Sequence, residues 1–341
     1  MTTDDVLEKL YGNELRIDVH ATESSLPFTL RSTRIAYPVY NQALKEIAKL
    51  HHRSRISGIG SGLFMGGQSG SGKTTIIKSY QQLFQDDHKH LREVPQVVIV
   101  KTPAAPTVKS VVEAVLNSLG DPVAHRGSTE ERTQRIYHFI KQCHVELLAF
   151  DEIQHFHDTK RNNERTFFTD WLKNLIDEAH IPVVLVGMPR GETLLKISEQ
   201  LARRFTRRFY VRPFSFHSKQ DQLEFRGLLK NIQLLLPIDS VPLHEANLAR
   251  RFIFGSAGLI DYVIKTVEEA VSLGYAHGAR KIDLKVLAEA YKNAVWPDVP
   301  ELLNPFNEQA TLRRLDRVGE PFELWDRTRV QDKNKAGVND E

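Results

Sequence analysis

A glycine-rich loop constrains the fold of this chain more than any other sequence feature. Residues 67–74 read Gly-Gln-Ser-Gly-Ser-Gly-Lys-Thr and fit the pattern G-x-x-x-x-G-K-[ST]. They follow a short apolar run at 62–65 and precede a stretch of helical period that begins near Thr75. Glycines in this strand–loop–helix order let successive backbone N–H groups converge on an anion at the helix N-terminus. The loop therefore predicts a phosphate site at the end of a β-strand.

The same loop predicts the ligand of this site. In this pattern Lys73 neutralises the β- and γ-phosphates of a nucleotide, and the hydroxyl of Thr74 ligates Mg²⁺. The alternative is a glycine-rich turn before a surface helix. We expect ATP and Mg²⁺ as cofactors, with ATP bound by Gly67, Gln68, Ser69, Gly70, Ser71, Gly72, Lys73, Thr74 and Thr75.

A pair of carboxylates follows another apolar run. The run at 145–150 has the composition of a buried strand, and Asp151 and Glu152 come directly after it. We expect Asp151 to hold Mg²⁺ through water, and Glu152 to act on the attacking water as a base or positioning group. Taken alone, an acidic strand end is also explained by a solvated loop. Together with the glycine loop, the pair predicts hydrolysis of ATP.

Four arginines lie between a helical stretch and the last candidate strand, at Arg203, Arg204, Arg207 and Arg208. In ring or filament ATPases, an arginine from a neighbouring subunit stabilises the charge of the transition state. We predict that one of the four acts in trans, and Arg204 is the first choice. The alternative for each is a solvated basic edge.

The order of apolar runs and helical stretches predicts an α/β fold. Five short apolar runs alternate with helical segments up to Pro213, which is typical of a five-stranded parallel sheet flanked by helices. Beyond Pro213 the strand signals stop and four helical stretches follow. The predicted strands are 62–65, 96–101, 145–150, 182–187 and 209–212, and the predicted helices include 39–50, 108–119, 131–143, 164–180, 220–235, 243–252, 259–273 and 284–294.

These elements divide the chain into four predicted segments. An N-terminal extension with a short helix spans 1–57, and the ATPase α/β domain spans 58–213. A small helical lid domain covers 214–295, and a C-terminal tail covers 296–341. The tail is rich in proline and acidic residues with scattered aromatic anchors, so we expect it to be extended or ordered by a partner.

Charge and cysteine content narrow the possible functions. The net charge of +3 is too small to prove a nucleic-acid partner, but the residues before 296 are basic and the tail is acidic, which indicates two kinds of partner. Cys143 is the one cysteine, which excludes an internal disulfide and a cysteine zinc site. The sequence shows neither an apolar leader nor a run long enough to span a bilayer. We therefore expect a cytoplasmic protein without a membrane partner.

Five segments between residue 63 and about residue 294 carry a resemblance to a known family. The most specific are Val-Ile-Val-Lys-Thr-Pro at 98–103 and Leu-Gly-Asp-Pro-Val-Ala-His-Arg-Gly at 119–127, together with the ending Asp-Glu-Ile-Gln-His-Phe at 151–156. The others are the glycine loop and the apolar run at 181–187. In these segments the chain resembles the TnsC/TniB family of transposon-encoded AAA+ ATPases.

The resemblance implies an AAA+ P-loop ATPase that regulates DNA transposition and is itself neither a transposase nor a nuclease. Such a protein binds double-stranded DNA when it is ATP-loaded, through sequence-independent backbone contacts, and forms homo-oligomeric rings or filaments. It connects a target-selector protein to the transposase. The resemblance also implies DNA-backbone contacts by short basic and hydroxyl residues, for each of which a plain solvated face is the alternative: Lys101, Thr107, Lys109, Arg126 and Ser128.

The chain departs from the family pattern in three places. Met188 follows Gly187, where family members usually have a polar residue, and the lid segment 255–262 lacks a basic residue that the family often carries. Both departures lead us to expect slow hydrolysis. The tail is longer than in compact members, and we expect it to dock the transposase. A disordered end without function is the alternative.

Two other functions fit the same motifs. The first is a nucleotide-locked scaffold with little turnover, which Met188 motivates. The second is a clamp loader, replication initiator or helicase loader of the AAA+ class, which shares the fold and the site. The fold alone does not separate these functions.

Overall fold

The computed structural model describes residues 28–31, 33–84, 94–159 and 162–323. They fall into two compact units, the first within 39–212 and the second within 28–38 and 213–323. Parts of the predicted N-terminal extension and of the predicted tail therefore lie outside the described residues. Residues 39–57 are part of the predicted N-terminal extension. In the structure their helix belongs to the first unit.

A parallel sheet forms the centre of the first unit. Its strands are β1 (Gly62–Gly67), β2 (Val97–Lys101), β3 (Leu147–Asp151), β4 (Val183–Gly187) and β5 (Arg207–Val211). Their order is β2-β3-β4-β1-β5, and every pairing is parallel. The strands β1, β3 and β4 are buried along their whole length, which explains their continuous apolar runs. The prediction of five parallel strands is confirmed, with ends shifted by one or two residues.

Helices flank this sheet. Two of them begin with a capping box, in which the side chains of Thr107 and Ser128 accept hydrogen bonds from the backbone one turn later. The helices predicted in this unit are confirmed, and the first extends to Ser57, beyond its predicted end at residue 50. The helices are α1 (Pro38–Ser57), α2 (Lys73–Leu83), α3 (Val108–Ser118), α4 (Thr129–Gln142), α5 (His155–Asp158), α6 (Asn162–Ala179) and α7 (Glu199–Arg204), with a 3₁₀ segment at Pro189–Lys196.

Aromatic packing fixes the C-terminal end of β3. Phe150 of β3 meets Phe168 and Trp171 of α6 edge to face, at ring-centroid distances of 6.3 and 6.2 Å. Phe156 of α5 stacks on Phe168 at 4.0 Å. All four rings are buried, and such pairs add to the stability gained from burial alone. The residues before and after the acidic pair are therefore held by the same helix.

Helices and two very short strands form the second unit. The helices are α8 (Lys219–Leu234), α9 (Ala246–Ser256), α10 (Ile260–Ala276) and α11 (Leu284–Ala294), which confirms the four predicted helices. The strands β6 (Asp239–Ser240) and β7 (Lys281–Ile282) pair in parallel. The strand signals in the sequence stop at Pro213, and β6 and β7 give none, because two residues are too few to show the alternation of a strand. Among the described residues of both units, no helix has the length and apolar character that crossing a bilayer needs.

The described part of the tail packs on these helices. Phe306 is only 1% exposed, and its ring lies 4.8 Å from that of Phe252 on α9 and 5.8 Å from that of Tyr291 on α11. Phe322 is also buried and meets Tyr262 of α10 edge to face at 5.1 Å. Two of the aromatic anchors are therefore used within the chain itself.

This packing corrects the predicted boundary between lid and tail. Over residues 296–323, the described part of the tail, there is no long helix or strand beyond the end of α11. Burial of Phe306 and Phe322, however, depends on partners that are distant in sequence, which composition does not reveal. Over residues 296–323 the tail is part of the second unit. The expectation that the tail docks the transposase stays a prediction, and residues 324–341 lie outside the described part.

Replacing Phe306 with alanine should destabilise the second unit by about 3–5 kcal/mol, since a fully buried aromatic ring is lost. Thermal and denaturant unfolding measure this change. The matched control is Leu302→Ala in the same tail, where the side chain is 59% exposed. We expect the control to change stability by about 0.5 kcal/mol or less. Equal unfolding midpoints for the two variants would contradict the packing described here.

Candidate nucleotide-binding site

The glycine loop connects β1 to α2 through left-handed backbone. Gly70 and Gly72 have φ values of +77° and +93°, which side chains other than glycine rarely tolerate. At Gly67, a Cβ atom would lie 2.7 Å from Ser71 Oγ and 2.8 Å from the backbone oxygen of Val211. The loop conformation therefore requires glycine at each of these three positions.

Lys73 is the first residue of α2 and is buried to 6% exposure. Its Nζ donates a hydrogen bond to the backbone oxygen of Gln68 at 2.7 Å, so the side chain folds back over the loop. Burial lowers the pKa of Lys73 to about 8, while the charges of Asp151 and Glu152 act in the opposite direction. An anion bound in the loop would supply a negative countercharge and so stabilise the charged form of the buried Lys73 amine.

The hydroxyl of Thr74 connects the loop to the acidic strand end. Thr74 Oγ1 donates to Asp151 Oδ2 at 2.7 Å. The other oxygen of this buried carboxylate, Oδ1, accepts from the backbone N–H of Glu152 at 2.8 Å. A hydroxyl and a carboxylate are hard oxygen ligands of the kind that Mg²⁺ selects. The structure thus brings together the two residues predicted to hold the metal.

Glu152 has an unusual backbone and a defined side-chain environment. Its φ of +60° is rare for a residue other than glycine. Its Oε2 accepts a hydrogen bond from Nε2 of Gln154 and lies 3.8 Å from Nε2 of His155. Gln154 also accepts from the backbone N–H of Met188 at 3.0 Å. Backbone strain held in place by such contacts is a property of many functional sites.

Two buried polar atoms test whether the loop fits a nucleotide. Ser71 Oγ and Gln68 Oε1 are buried and make no hydrogen bond to any described residue. Buried polar groups are nearly always satisfied, so such atoms in a loop indicate a polar ligand. A phosphate can accept from the hydroxyl of Ser71, and a hydrated metal ion can donate to Gln68. The residues present therefore fit ATP and Mg²⁺.

Each of the four arginines at 203–208 has an acidic partner within the chain. The Arg203 side chain is 75% exposed, whereas the other three are between 26% and 29% exposed. The prediction that one of them acts in trans stays a prediction. The pairs are Arg203 with Glu199, Arg204 with Asp177, Arg207 with Glu46 and Arg208 with Glu192, at nitrogen–oxygen distances of 2.5, 2.6, 3.3 and 2.9 Å.

The predicted DNA residues lie at the starts of α3 and α4 and at the end of β2. Thr107 and Ser128 are the N-cap residues, and Lys109 is exposed in the first turn of α3. Thr107 and Lys109 line a groove of about 610 Å³ together with the first residues of α4. Lys101 is exposed and pairs in register with Asp151, and Arg126 is exposed just before α4. Their role as DNA contacts stays a prediction.

Two residues beside the site did not emerge from the sequence. Gln154 lies in the family segment at 151–156 and belongs to no other motif, yet its amide contacts Glu152 and Met188. Arg190 pairs with both carboxylate oxygens of Asp158, at 2.7 and 2.8 Å. The sequence signal for Gln154 is its position two residues after the acidic pair. Because the chain turns back at the end of a parallel strand, a residue at this position stays close to the pair.

A sequence comparison with protein families identifies one match. The model described as bacterial TniB protein matches residues 28–214, more than half of the 341 residues. No curated protein matches the chain. The matched region contains the glycine loop, the acidic pair and all four arginines.

Solved structures with a similar fold are AAA+ ATPases. The ORC2 protein of Aeropyrum pernix, solved as ADPNP–ADP complexes, gives a TM-score of 0.60 at 15% identity, over 82% of this chain and 75% of that one. ORC1 of the same organism, solved in complex with DNA, gives 0.59 at 14% identity, over 77% and 67%. Domain III of the replication initiation protein DnaA from Thermotoga maritima gives 0.51 at 15% identity, over 80% and 99%. At these identities the similarity shows the fold alone, which is the AAA+ ATPase fold.

The lowered pKa of Lys73 predicts pH-dependent nucleotide binding. Bound phosphates favour the charged form of Lys73, so above pH 8 binding must take up a proton. Affinity should therefore be constant below about pH 8 and fall above it, by at most about tenfold per pH unit. Titration with a fluorescent ATP analogue between pH 7 and 9.5 measures this. Lys73→Arg is the control, since arginine stays charged over this range. The same pH dependence in both proteins would contradict the prediction.

Proposed function

Because the chain belongs to the TniB family, we propose that it is an ATP-dependent, DNA-binding AAA+ ATPase that regulates DNA transposition. The hydrogen bond between Thr74 and Asp151, next to the buried Lys73, is the observation that carries the ATPase part. The transposition part is supported by the family match and by the five segments quoted above. We assign the cutting and joining of DNA to a separate transposase.

The residues of the site divide the work of hydrolysis. Lys73 supplies a positive charge to the phosphates, and its burial makes that charge more effective than it is in water. Thr74 and Asp151 would hold Mg²⁺, which would supply neutralisation of charge at the phosphate oxygens. Glu152 accepts or orients the proton of the attacking water. The reaction yields ADP and phosphate.

Arg204 is the proposed trans residue. Its guanidinium group binds both carboxylate oxygens of Asp177 at 2.6 Å, which presets the orientation of its planar fork. Its Nη1 also donates to the backbone oxygen of Gln200 at 2.9 Å. A preset arginine loses little side-chain entropy when it engages a phosphate of a neighbouring subunit. Assembly into a homo-oligomeric ring or filament would then be required for full activity.

The starts of α3 and α4 are the proposed DNA surface. Helix N-termini carry partial positive charge, and Lys109 and Arg126 add full charges close to them. Thr107 and Ser128 supply hydroxyl groups, and Lys101 lies beside the acidic strand end. Contacts of this kind bind the phosphate backbone without reading the base sequence. Lys101 lies next to Asp151 in the sheet, which supports coupling between DNA binding and nucleotide binding.

We further propose a target-selector protein and the transposase as partners, the latter through the tail. Two alternatives remain testable. A nucleotide-locked scaffold is favoured by Met188, which has an apolar side chain directly after Gly187, where the family usually has a polar residue. A replication initiator or loader shares the fold, as the ORC and DnaA similarities illustrate. The scaffold predicts equal phosphate release by wild type and Glu152→Gln, whereas the proposed function predicts a large loss in the variant.

Mixing two inactive variants tests the trans arginine. Arg204→Ala subunits keep the glycine loop, and Lys73→Ala subunits keep Arg204. Each variant alone should lose about 10³-fold or more in turnover. A mixture should exceed the sum of the two, because Lys73→Ala subunits lend their arginine to intact sites. Phosphate release with DNA present measures this. A mixture no better than the sum would contradict action in trans, and Arg203→Ala serves as the matched control.

DNA binding should depend on both nucleotide and salt. Fluorescence anisotropy with labelled duplex DNA should show tight binding with ATP and Mg²⁺, and weak binding for Lys73→Ala at the same nucleotide concentration. Replacing Lys101 and Lys109 together with alanine should reduce the slope of log K against log salt by about 2, since each phosphate contact contributes about 0.9. Lys196→Ala is the control for an exposed lysine elsewhere. Unchanged slopes would contradict the proposed surface.

A further inference from the structure

The side chain of Gln154 connects the acidic strand end to the end of the neighbouring strand. It is buried to 4% exposure. Its Nε2 donates to Glu152 Oε2, and its Oε1 accepts from the backbone N–H of Met188 at 3.0 Å. Both ends of one buried amide are thus occupied, one by the proposed catalytic carboxylate and the other by the residue that follows β4.

The surroundings leave space for this amide and little else. A Cβ atom at Gly187 would lie 2.5 Å from Gln154 Oε1 and 2.9 Å from Cγ2 of Ile153. The backbone N–H of Ile153 donates to the backbone oxygen of Val186 at 3.0 Å, so the turn after β3 is fixed to β4. Glycine at the end of β4 is therefore what allows the Gln154 side chain to lie across the two strands.

Glu152 needs such a support. Its backbone is left-handed at φ +60°, and its side chain is 37% exposed, so hydrogen bonds must hold the carboxylate against rotation into solvent. Besides the Gln154 amide, its described neighbour is His155, whose Nε2 lies 3.8 Å away. A general base must be held close to one geometry, because a displacement of about 1 Å can cost about 10²-fold in rate. A buried amide with both ends hydrogen-bonded supplies a fixed donor for that carboxylate.

We propose that Gln154 is the positioning residue for Glu152 in ATP hydrolysis, and that it supplies the polar group that Met188 does not. Met188, which follows Gly187 at the end of β4, has an apolar side chain. In the structure the amide of Gln154 lies at this strand end and accepts a hydrogen bond from the backbone N–H of Met188. The end of β4 is thereby linked to the catalytic carboxylate through Gln154. This inference rests on the proposed ATPase function.

Two substitutions separate the two ends of the amide. Gln154→Leu removes both hydrogen bonds. Gln154→Glu keeps an acceptor for the Met188 N–H but cannot donate to Glu152 and adds a like charge beside it. In the full chain with DNA and Mg²⁺, we expect kcat to fall about 10- to 100-fold in both variants. The dissociation constant of a fluorescent ATP analogue should stay within about twofold of wild type, because Gln154 contacts neither the loop nor Thr74. Gln142→Glu, exposed at the end of α4, is the control for the charge change.

A double-mutant cycle distinguishes positioning from a merely structural role. If Gln154 acts through Glu152, then Gln154→Leu should cause no further loss of kcat in a Glu152→Gln background. A structural role would lower kcat, nucleotide affinity and thermal stability in both backgrounds. An additional loss in that background, or a kcat of Gln154→Leu equal to or above that of wild type, would overturn the inference while leaving the ATPase function in place. A wild-type protein without Glu152-dependent turnover would instead overturn the proposed function, and the inference with it.

Discussion

The hydrogen bond between Thr74 and Asp151 is the contact on which the rest of the site depends. It joins the start of α2 to the end of β3, although β4 lies between β1 and β3 in the sheet. Lys73 precedes one partner and Glu152 follows the other, so this one contact sets the positions of four side chains. The residues proposed to bind the phosphates and those proposed to bind the metal are thereby brought together, which phosphoryl transfer requires because it depends mainly on positioning and charge.

The fold holds this contact at both of its ends. At the loop end, Gly67 allows the backbone to approach the backbone oxygen of Val211. At the other end, the stacked rings of Phe156 and Phe168 fix the chain just after β3. The buried loop also changes the chemistry of Lys73, whose pKa is lowered to about 8 because water is excluded. Gln154 extends the same arrangement to β4. The positions and charges of these residues at the strand ends therefore follow from the order of the parallel strands in the sheet.

Features encoded locally could be predicted from the sequence, and those that depend on distant partners could not. The five strands and the helices that flank them follow from continuous apolar runs and helical periods, and the glycine loop follows from a pattern of eight residues. The packing of Phe306 on Phe252, the pairing of β6 with β7 and the contact between Gln154 and Met188 each join residues far apart in the chain. No periodicity within a segment reveals them. Met188 is the clearest case, because its backbone N–H contacts Gln154, and the identity of a side chain does not reveal a backbone contact.

Electron microscopy of the purified protein with duplex DNA tests whether the protein assembles on DNA when ATP is bound. The three conditions are ATP plus Mg²⁺, ADP plus Mg²⁺, and no nucleotide. We expect rings or filaments around DNA with ATP alone, because the proposed function makes both DNA binding and the contact with the next subunit depend on bound ATP. Free monomers in all three conditions, in a preparation shown to bind ATP, would contradict it. Such a result would leave a nucleotide site with a function other than assembly on DNA.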